Sequence, residues 1–453
     1  MLVIPISCTD PADAFRALSG QPWSMLLDSA APHPAHGRYS YIATEPFRTL
    51  ESLDGRAYLD GQPAAGDPFA VLAEELARHP RPAGPPGPAP FCGGAVGFIG
   101  YEAGLRLERV HSRHPNAGDQ PEMAFGFYDA VAAFDHAERR AWVIAARPEA
   151  EGRARALAAR LESGGAPTLG PVPTAPWRSE LARDDYLERV ERVLEYIRAG
   201  DIYQANFTQR FLAERPAGLD IYALYRRLRA ISPAPFAAYL DCGPRLRIAS
   251  ASPERFIRLN ASGGIETRPI KGTRPRHADP AADAAAAAEL VASVKDRAEN
   301  LMITDLLRND LARVSAVGSV RVPVLYGLES FSNVHHLVSV VTARLRPGLG
   351  AVDLLRAALP GGSITGAPKI RAMQIIDELE EARRGAYCGS VAWIGFDGAM
   401  DSSIVIRTLS ITPEAVIAQA GGGIVADSDP AEEHEEMMVK IRAQLRALEE
   451  VRG

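Results

Sequence analysis

Two stretches rich in proline and glycine cut this chain: residues 80–90 (PRPAGPPGPAP) and 164–176 (GGAPTLGPVPTAP). Neither can be a helix interior or an inner strand, because proline lacks the amide donor that both hydrogen-bond ladders need. Around them, short strand-like runs alternate with helix-like ones over 453 residues, too many for one simple core. The division expected is 1–163, a linker at 164–176, and 177–453. Two or three domains, or one large composite α/β unit, would satisfy it.

The apolar fraction of 47% and charged fraction of 23% are ordinary for a globular protein. A net charge of −6 argues against general nucleic-acid binding, which needs a basic face. Cys8, Cys92, Cys242 and Cys388 are widely separated and form no CxxC pair, so a disulfide framework or structural zinc is disfavoured. MLVIPISCTDPADAF lacks the basic start of a signal peptide, and no run approaches the roughly 18–20 apolar residues that span a bilayer. The expectation is a reducing, cytoplasmic setting with no nucleic-acid or membrane partner.

Before the second proline-rich stretch, GAVGFIGYEA (94–103) and FGFYDAVAAF (125–134) read as strands, and residues 149–162 as a helix. After it, Tyr186, Val190, Val193, Leu194 and Ile197 keep helical spacing, with Gly200 as a stop. IYQANFTQRF (202–211), SVRVPVL (319–325), SVAWIGF (390–396) and SIVIRTLSI (403–411) read as strands. Residues 289–314 read as one long helix. Residues 352–358 and 369–381, and a segment after Pro430, read as further helices. FCGGAVGFIGY (91–101) is echoed by YCGSVAWIGF (387–396). Chance likeness of glycine-rich strands and a pseudo-symmetric core are both open.

Several segments could carry chemistry. Asp296 and Glu299 lie three apart on one expected helix, and Glu433 and Glu436 three apart on another, with Lys440 four further on. Two helices each presenting two carboxylates could hold Mg²⁺, although spacing alone is commoner among solvated helix faces. Gly421–Gly423 follow a strand and could let backbone amides approach an anion, or simply turn the chain. No GK[ST] follows them, so a nucleotide loop is not supported. LPGGSITGAPK (359–369) runs into a helix whose N-terminus suits a carboxylate. Arg407, flanked by apolar residues, needs an anionic partner. RPIKGTRPR (268–276) gathers Arg268, Arg274 and Arg276 around Lys271. A neutral lysine amine is a nucleophile and an ammonium is not, so the charge around Lys271 bears on its role.

Taken together, DIYQANFTQRF, SPERF, PIKGT, AENLMITDLLRNDLARV, VHHLVS, LPGGSITGAPKIRAMQIIDELE, IVIRTL and GGGIVADSDPAEEHEE resemble the chorismate-utilising enzymes over most of residues 180–445. WSMLLDS (23–29) and GRYSYIATEP (37–46) match more loosely. The resemblance implies an α/β fold of the α+β type: one large unit of two packed, mainly antiparallel sheets with outer helices. The N-terminal third should lend strands to it. It implies chorismate as substrate and Mg²⁺ held by Glu299, Glu433 and Glu436. Asp296 stands where relatives carry glutamate, and its shorter arm makes direct metal contact doubtful there. Tyr387, Arg407, Gly421, Gly422, Gly423 and Lys440, with Thr273 and Ser363, match substrate-holding positions. His336, rather than His335, matches the histidine near the departing hydroxyl.

Branches of the family differ at two positions. Isochorismate and salicylate synthases carry a lysine base where this chain has Gln204, and an amide is no base near neutral pH. Anthranilate-forming enzymes carry alanine at the position of Lys271. The lysine in PIKGT resembles the aminodeoxychorismate-forming branch, which implies amination at carbon 4, Lys271 as covalent nucleophile and Glu254 as proton donor. No G-x-C-x-G nucleophile turn in a glutaminase setting occurs, so ammonia is expected from a glutamine amidotransferase subunit or from free ammonium. LLDS (26–29) resembles the effector segment of anthranilate synthases, so bound tryptophan is also implied. An anthranilate-forming enzyme, and a non-catalytic subunit that binds chorismate or tryptophan, are the competing readings.

Overall fold

Along the strand Ala130–Asp135 every residue is buried, yet alternate residues enter different cores. Ala130, Ala132 and Phe134 join one cluster, Val131 and Ala133 another. Successive side chains of a strand point to opposite faces, so such a strand must lie between two apolar layers. The computed structural model, which describes residues 1–8, 10–31, 36–80, 86–116, 119–163, 168–330 and 334–449, is built on that rule throughout.

Two twelve-stranded sheets pack face to face. The core between them takes Met25, Tyr41, Val131 and Ile248 from one sheet and Phe98, Tyr128, Val391 and Trp393 from the other. Helices Glu151–Glu162, Arg183–Arg198, Ile221–Ile231 and Pro430–Leu448 cover the outer face of the first sheet. Pro68–Arg78, Val294–Ala312 and Ala351–Ala358 cover the second. Among the described residues every strand pairing is antiparallel. The N-terminal third lends strands to both sheets. Met25–Asp28 pairs with Phe236–Asp241 in the first, and Gly94–Ile99 with Ser390–Gly395 in the second. The echoed Cys-Gly segments are thus hydrogen-bonded neighbours. Residues 168–176 have no regular structure and lie against the first core through Leu169, Val172 and Ala175. Residues 81–85 and 164–167 of the proline-rich stretches lie outside the described residues. Among the described residues no helix is long and apolar enough to cross a membrane.

The structure departs from the sequence reading at four places. The run 289–314 is two helices, Pro280–Ala292 and Val294–Ala312, because Ser293 is extended and its hydroxyl caps the Asp296 amide at 3.2 Å. FGFYDAVAAF is two strands, Met123–Tyr128 in the second sheet and Ala130–Asp135 in the first, with the chain crossing at Asp129. SIVIRTLSI likewise divides into Met400–Ile404 in the second sheet and Thr408–Ile411 in the first. Arg407 therefore sits in the crossing, at φ 54°, rather than on a strand. Gly421, Gly422 and Gly423 do not follow a strand but lie within one, Ala415–Ile424, opposite Thr208, Phe207 and Asn206.

Candidate active site

The second crossing opens a cavity of about 760 Å³ between the sheets' ends and the helices Val294–Ala312 and Pro430–Leu448. Lys271, Glu254, Thr273, His336, Ser363, Tyr387, Arg407, Gly421, Gly423, Lys440, Glu299, Glu433 and Glu436 all line it, as does Asp296. Residues some 180 positions apart in sequence converge on this one space. Gly422 points the other way along its strand. A Cβ there would lie 2.9 Å from Glu433 Oε2 and 3.5 Å from Lys440 Nζ, so the missing side chain lets the last helix come close. Gly423 makes room for Gln204, whose Nε2 would be 2.3 Å from its Cβ. The glycine run thus serves close packing on both strand faces.

Lys271 stands on the strand Ile270–Pro275, where a bulge at Gly272 (φ 79°) interrupts pairing with Val334–Arg344. A Cβ at Gly272 would meet Asp296 Cγ at 2.8 Å, so only glycine lets this strand approach the helix. Thr273 Oγ1 lies 2.9 Å from His336 Nδ1. Burial holds the His336 imidazole below its ordinary range. Its neighbour His335 points away, buried between Ser330 and Asp283. Ser363 Oγ donates to Glu254 Oε1 at 3.0 Å. Burial raises the Glu254 carboxyl, with the Ser363 hydrogen bond and the Lys271 charge opposing.

The arginines of RPIKGTRPR are not an open anion loop. Arg268 pairs with Glu329, Arg274 with Asp296 and Glu289 at 3.2 and 3.1 Å, and Arg276 with Asp283 at 2.9 Å. Lys271 is the exception. Among the described residues no carboxylate lies within ion-pair distance of its Nζ, although Glu254 and Glu436 feel its charge.

Arg407 is a second cation without a carboxylate among the described residues. Its guanidinium donates to the Lys440 carbonyl, and burial lowers its pKa, with Tyr387 and Glu436 opposing. A cation held out of water in this way is a ready site for a ligand carboxylate. Lys440 is committed differently: it pairs with Glu436 at 2.5 Å and donates to the Gly421 carbonyl at 3.1 Å. Tyr387 is buried, which raises its phenol well above the usual range.

Glu299 faces the cavity from one helix, Glu433 and Glu436 from the other. Burial raises Glu433, which also accepts from Ser428 Oγ at 2.6 Å; burial pushes Glu436 up too, but Lys440 and Lys295 outweigh it and hold it low. Among the described residues no three metal-ligating side chains are gathered around one point. An oxygen-only set facing a cavity fits Mg²⁺, which takes one or two carboxylates and completes its shell with water and substrate oxygens. Asp296 gives a carboxylate oxygen to Arg274. Sequence reasoning did not single out Asn206, Lys295 or Gln419, which also line the cavity. The alternation of QANFTQRF could have pointed to Asn206, two residues beyond Gln204 on the same strand face.

A separate cavity of about 400 Å³ lies on the LLDS strand, walled by Tyr41, Phe236 and Trp393 and edged by Ser29, Arg255 and Asp401.

Residues 25–446 match the model of the chorismate binding enzyme family, and the chain belongs to that family. It is 46% identical over 441 residues to aminodeoxychorismate synthase component 1 of Klebsiella aerogenes, covering 96% of each chain. It is 39% identical to anthranilate synthase component 1 of Streptomyces coelicolor, covering 97% of this chain and 86% of that one. The crystal structure of anthranilate synthase component I from Streptococcus pneumoniae superposes with a TM-score of 0.80 at 34% identity, over 92% of this chain and 93% of that one.

Proposed function

We propose that the protein is the chorismate-aminating component of an aminodeoxychorismate synthase, forming 4-amino-4-deoxychorismate, the precursor of 4-aminobenzoate and folate. The observation that carries this reading is Lys271: a cavity-wall lysine with no carboxylate in ion-pair reach among the described residues, near enough to Glu254 for its charge to be felt there, and lining the same space as Arg407. Arg407 would take one substrate carboxylate, with Tyr387 and Lys440 bounding that end. Lys271 Nζ bonds to ring carbon 2, both ring double bonds shift one place towards carbon 4, and the bond from carbon 4 to its hydroxyl breaks. Glu254, its carboxyl raised by burial, supplies the proton with which that hydroxyl leaves as water. His336, whose protonation burial disfavours, would face the departing group from the same cavity wall. Ammonia then bonds to carbon 4, both double bonds shift back and the carbon 2–Nζ bond breaks, freeing Lys271 as the neutral amine, while the surplus proton on the new amine returns to Glu254. Glu299, Glu433 and Glu436 would hold Mg²⁺, which when bound neutralises the ring carboxylate and orients it.

The similarity to component 1 of aminodeoxychorismate synthases supports a second subunit that releases ammonia from glutamine. The cavity on the LLDS strand suits an amino acid with an aromatic side chain, and tryptophan is the ligand proposed for it. Anthranilate formation is the competing reading and is separated by product identity. With chorismate, Mg²⁺ and ammonium, product analysis should give aminodeoxychorismate and no anthranilate. Lys271→Ala should lower that amination by roughly 10³-fold or more. Full activity in Lys271→Ala, with no substrate adduct in intact-mass spectra of the wild type, would sink covalent catalysis.

A further inference from the structure

The last helix, Pro430–Leu448, spaces Glu433, Glu436 and Lys440 three and four residues apart, and all three line the active-site cavity. Two carboxylates on one helix face repel each other, and a cation near both relieves the repulsion. The chain supplies one of its own. The Lys440 ammonium pairs with Glu436 Oε1 at 2.5 Å and donates to the Gly421 carbonyl at 3.1 Å. A Cβ on Gly422 would lie 3.5 Å from Lys440 Nζ and 2.9 Å from Glu433 Oε2, so the ammonium and the second carboxylate crowd the same bare stretch of backbone. Both carboxylates feel the lysine's charge.

The same lysine borders the place proposed for a substrate carboxylate. Its backbone carbonyl is the acceptor for Arg407, and its side chain lines the cavity with Tyr387. One ammonium therefore stands between Glu436 and any anion that enters. The pair is open to water, with side chains 31% and 58% exposed, and an ion pair of that kind is weak. The flexible four-carbon stem of a lysine lets the ammonium swing while the helix stays in place. Lys295, on the first turn of Val294–Ala312, also acts on both glutamates, but only through space: it has no ion pair among the described residues.

We propose that Lys440 is a positioning residue exchanged between ligands: it masks Glu436 while the cavity is empty, and a substrate carboxylate draws it away and leaves Glu436 open to a divalent cation. The inference rests on the amination reading above and on Glu436 as a Mg²⁺ ligand. It gives substrate and metal a coupling beyond their direct contact, and such a coupling is reciprocal: each ligand tightens the other.

Mg²⁺ binding to the full chain is measured by titration calorimetry, without and with saturating chorismate. Lys271→Ala is present throughout and ammonium is left out, so that chorismate is not consumed. In this parent, chorismate should tighten Mg²⁺ binding. Adding Lys440→Met should tighten Mg²⁺ by roughly fivefold in the chorismate-free arm, where it unmasks Glu436, and give no gain in the chorismate arm, where the lysine has already left. Lys440→Gln, which keeps a donor for the Gly421 carbonyl, should behave alike and covers the case in which the methionine variant does not fold. Lys295→Met, which removes a through-space charge, should shift both arms equally. An equal gain in both arms for Lys440→Met would overturn the proposal, reducing the lysine to a background charge. Weaker Mg²⁺ binding in the chorismate-free arm would also overturn it, making the lysine a scaffold that orients Glu436. A parent that binds no chorismate would remove the functional reading, and this inference with it.

Discussion

The chain crosses between its two sheets in the same way twice, and only one crossing is open. Each time, a strand of the second sheet ends, the chain steps over to a strand of the first, a further strand follows, and a helix packs back on it. In the N-terminal half the step is at Asp129 and the helix is Glu151–Glu162; in the C-terminal half it is at Arg407 and the helix is Pro430–Leu448. At the first crossing the charge is answered from within. Arg153, on the following helix, forks onto Asp129 at 3.1 and 2.6 Å, and Arg147 lies 3.6 Å away. At the second crossing the following helix offers Arg407 a backbone carbonyl and keeps its carboxylates for the cavity. One arrangement of strands therefore makes a closed ion cluster or an open cavity with an unanswered cation, depending on whether the following helix neutralises the crossing residue.

The comparison is sharpest where it is broken. Arg407→Ala should lower kcat/KM for chorismate by about 10²–10³-fold, the effect of losing one member of a desolvated charge pair. Its thermal stability should be unchanged or higher, because burial disfavours the charge that is removed. Steady-state kinetics and a melting curve on the same preparation decide it. Asp129→Ala should do the reverse: a loss of about 1–3 kcal/mol in urea unfolding, with chorismate kinetics within roughly twofold of wild type. If Asp129→Ala cost activity and not stability, the two crossings would not differ in the way described.

The smallest effect concerns the two glutamates on the open side. The Glu433 carboxyl is raised, so its ionised form weighs against the fold at neutral pH, and that cost disappears as acid protonates it. Glu436 is lowered, so it contributes stability above its unfolded pKa and loses it as pH falls through the folded value. Glu433→Gln should therefore raise Tm slightly at pH 7 and Glu436→Gln should lower it slightly, both differences fading in acid. Melting temperatures across pH 4–8 test the signs.

Most elements of the fold could be read from periodicity, and the segments that line the cavity from their motifs. The crossings could not. Asp129 sits between two strands buried on both faces, and Ile404, Val405 and Ile406 carry an apolar run up to Arg407, so in both places the hydrophobic pattern runs on while the chain changes sheets. The break at Ser293 was hidden for a related reason, since a serine amid helix formers leaves the pattern intact and only its capping hydrogen bond reveals the stop. The pairing of Arg268, Arg274 and Arg276 could not be foreseen because their partners Glu329, Asp296 and Asp283 lie on other elements.

The hydrogen-bonded pair at the heart of the second sheet bears on how the protein is made. Gly94–Ile99 has Ser390–Gly395 as its partner, and Met25–Asp28 pairs with Phe236–Asp241. During synthesis the early strands have no neighbour on those edges until most of the chain has left the ribosome. Folding must wait on contacts between the two ends of the sequence, which makes it slow and leaves apolar edges exposed meanwhile. The two halves thus share one folding event, and the crossing at Arg407 is completed only with the last strands to emerge.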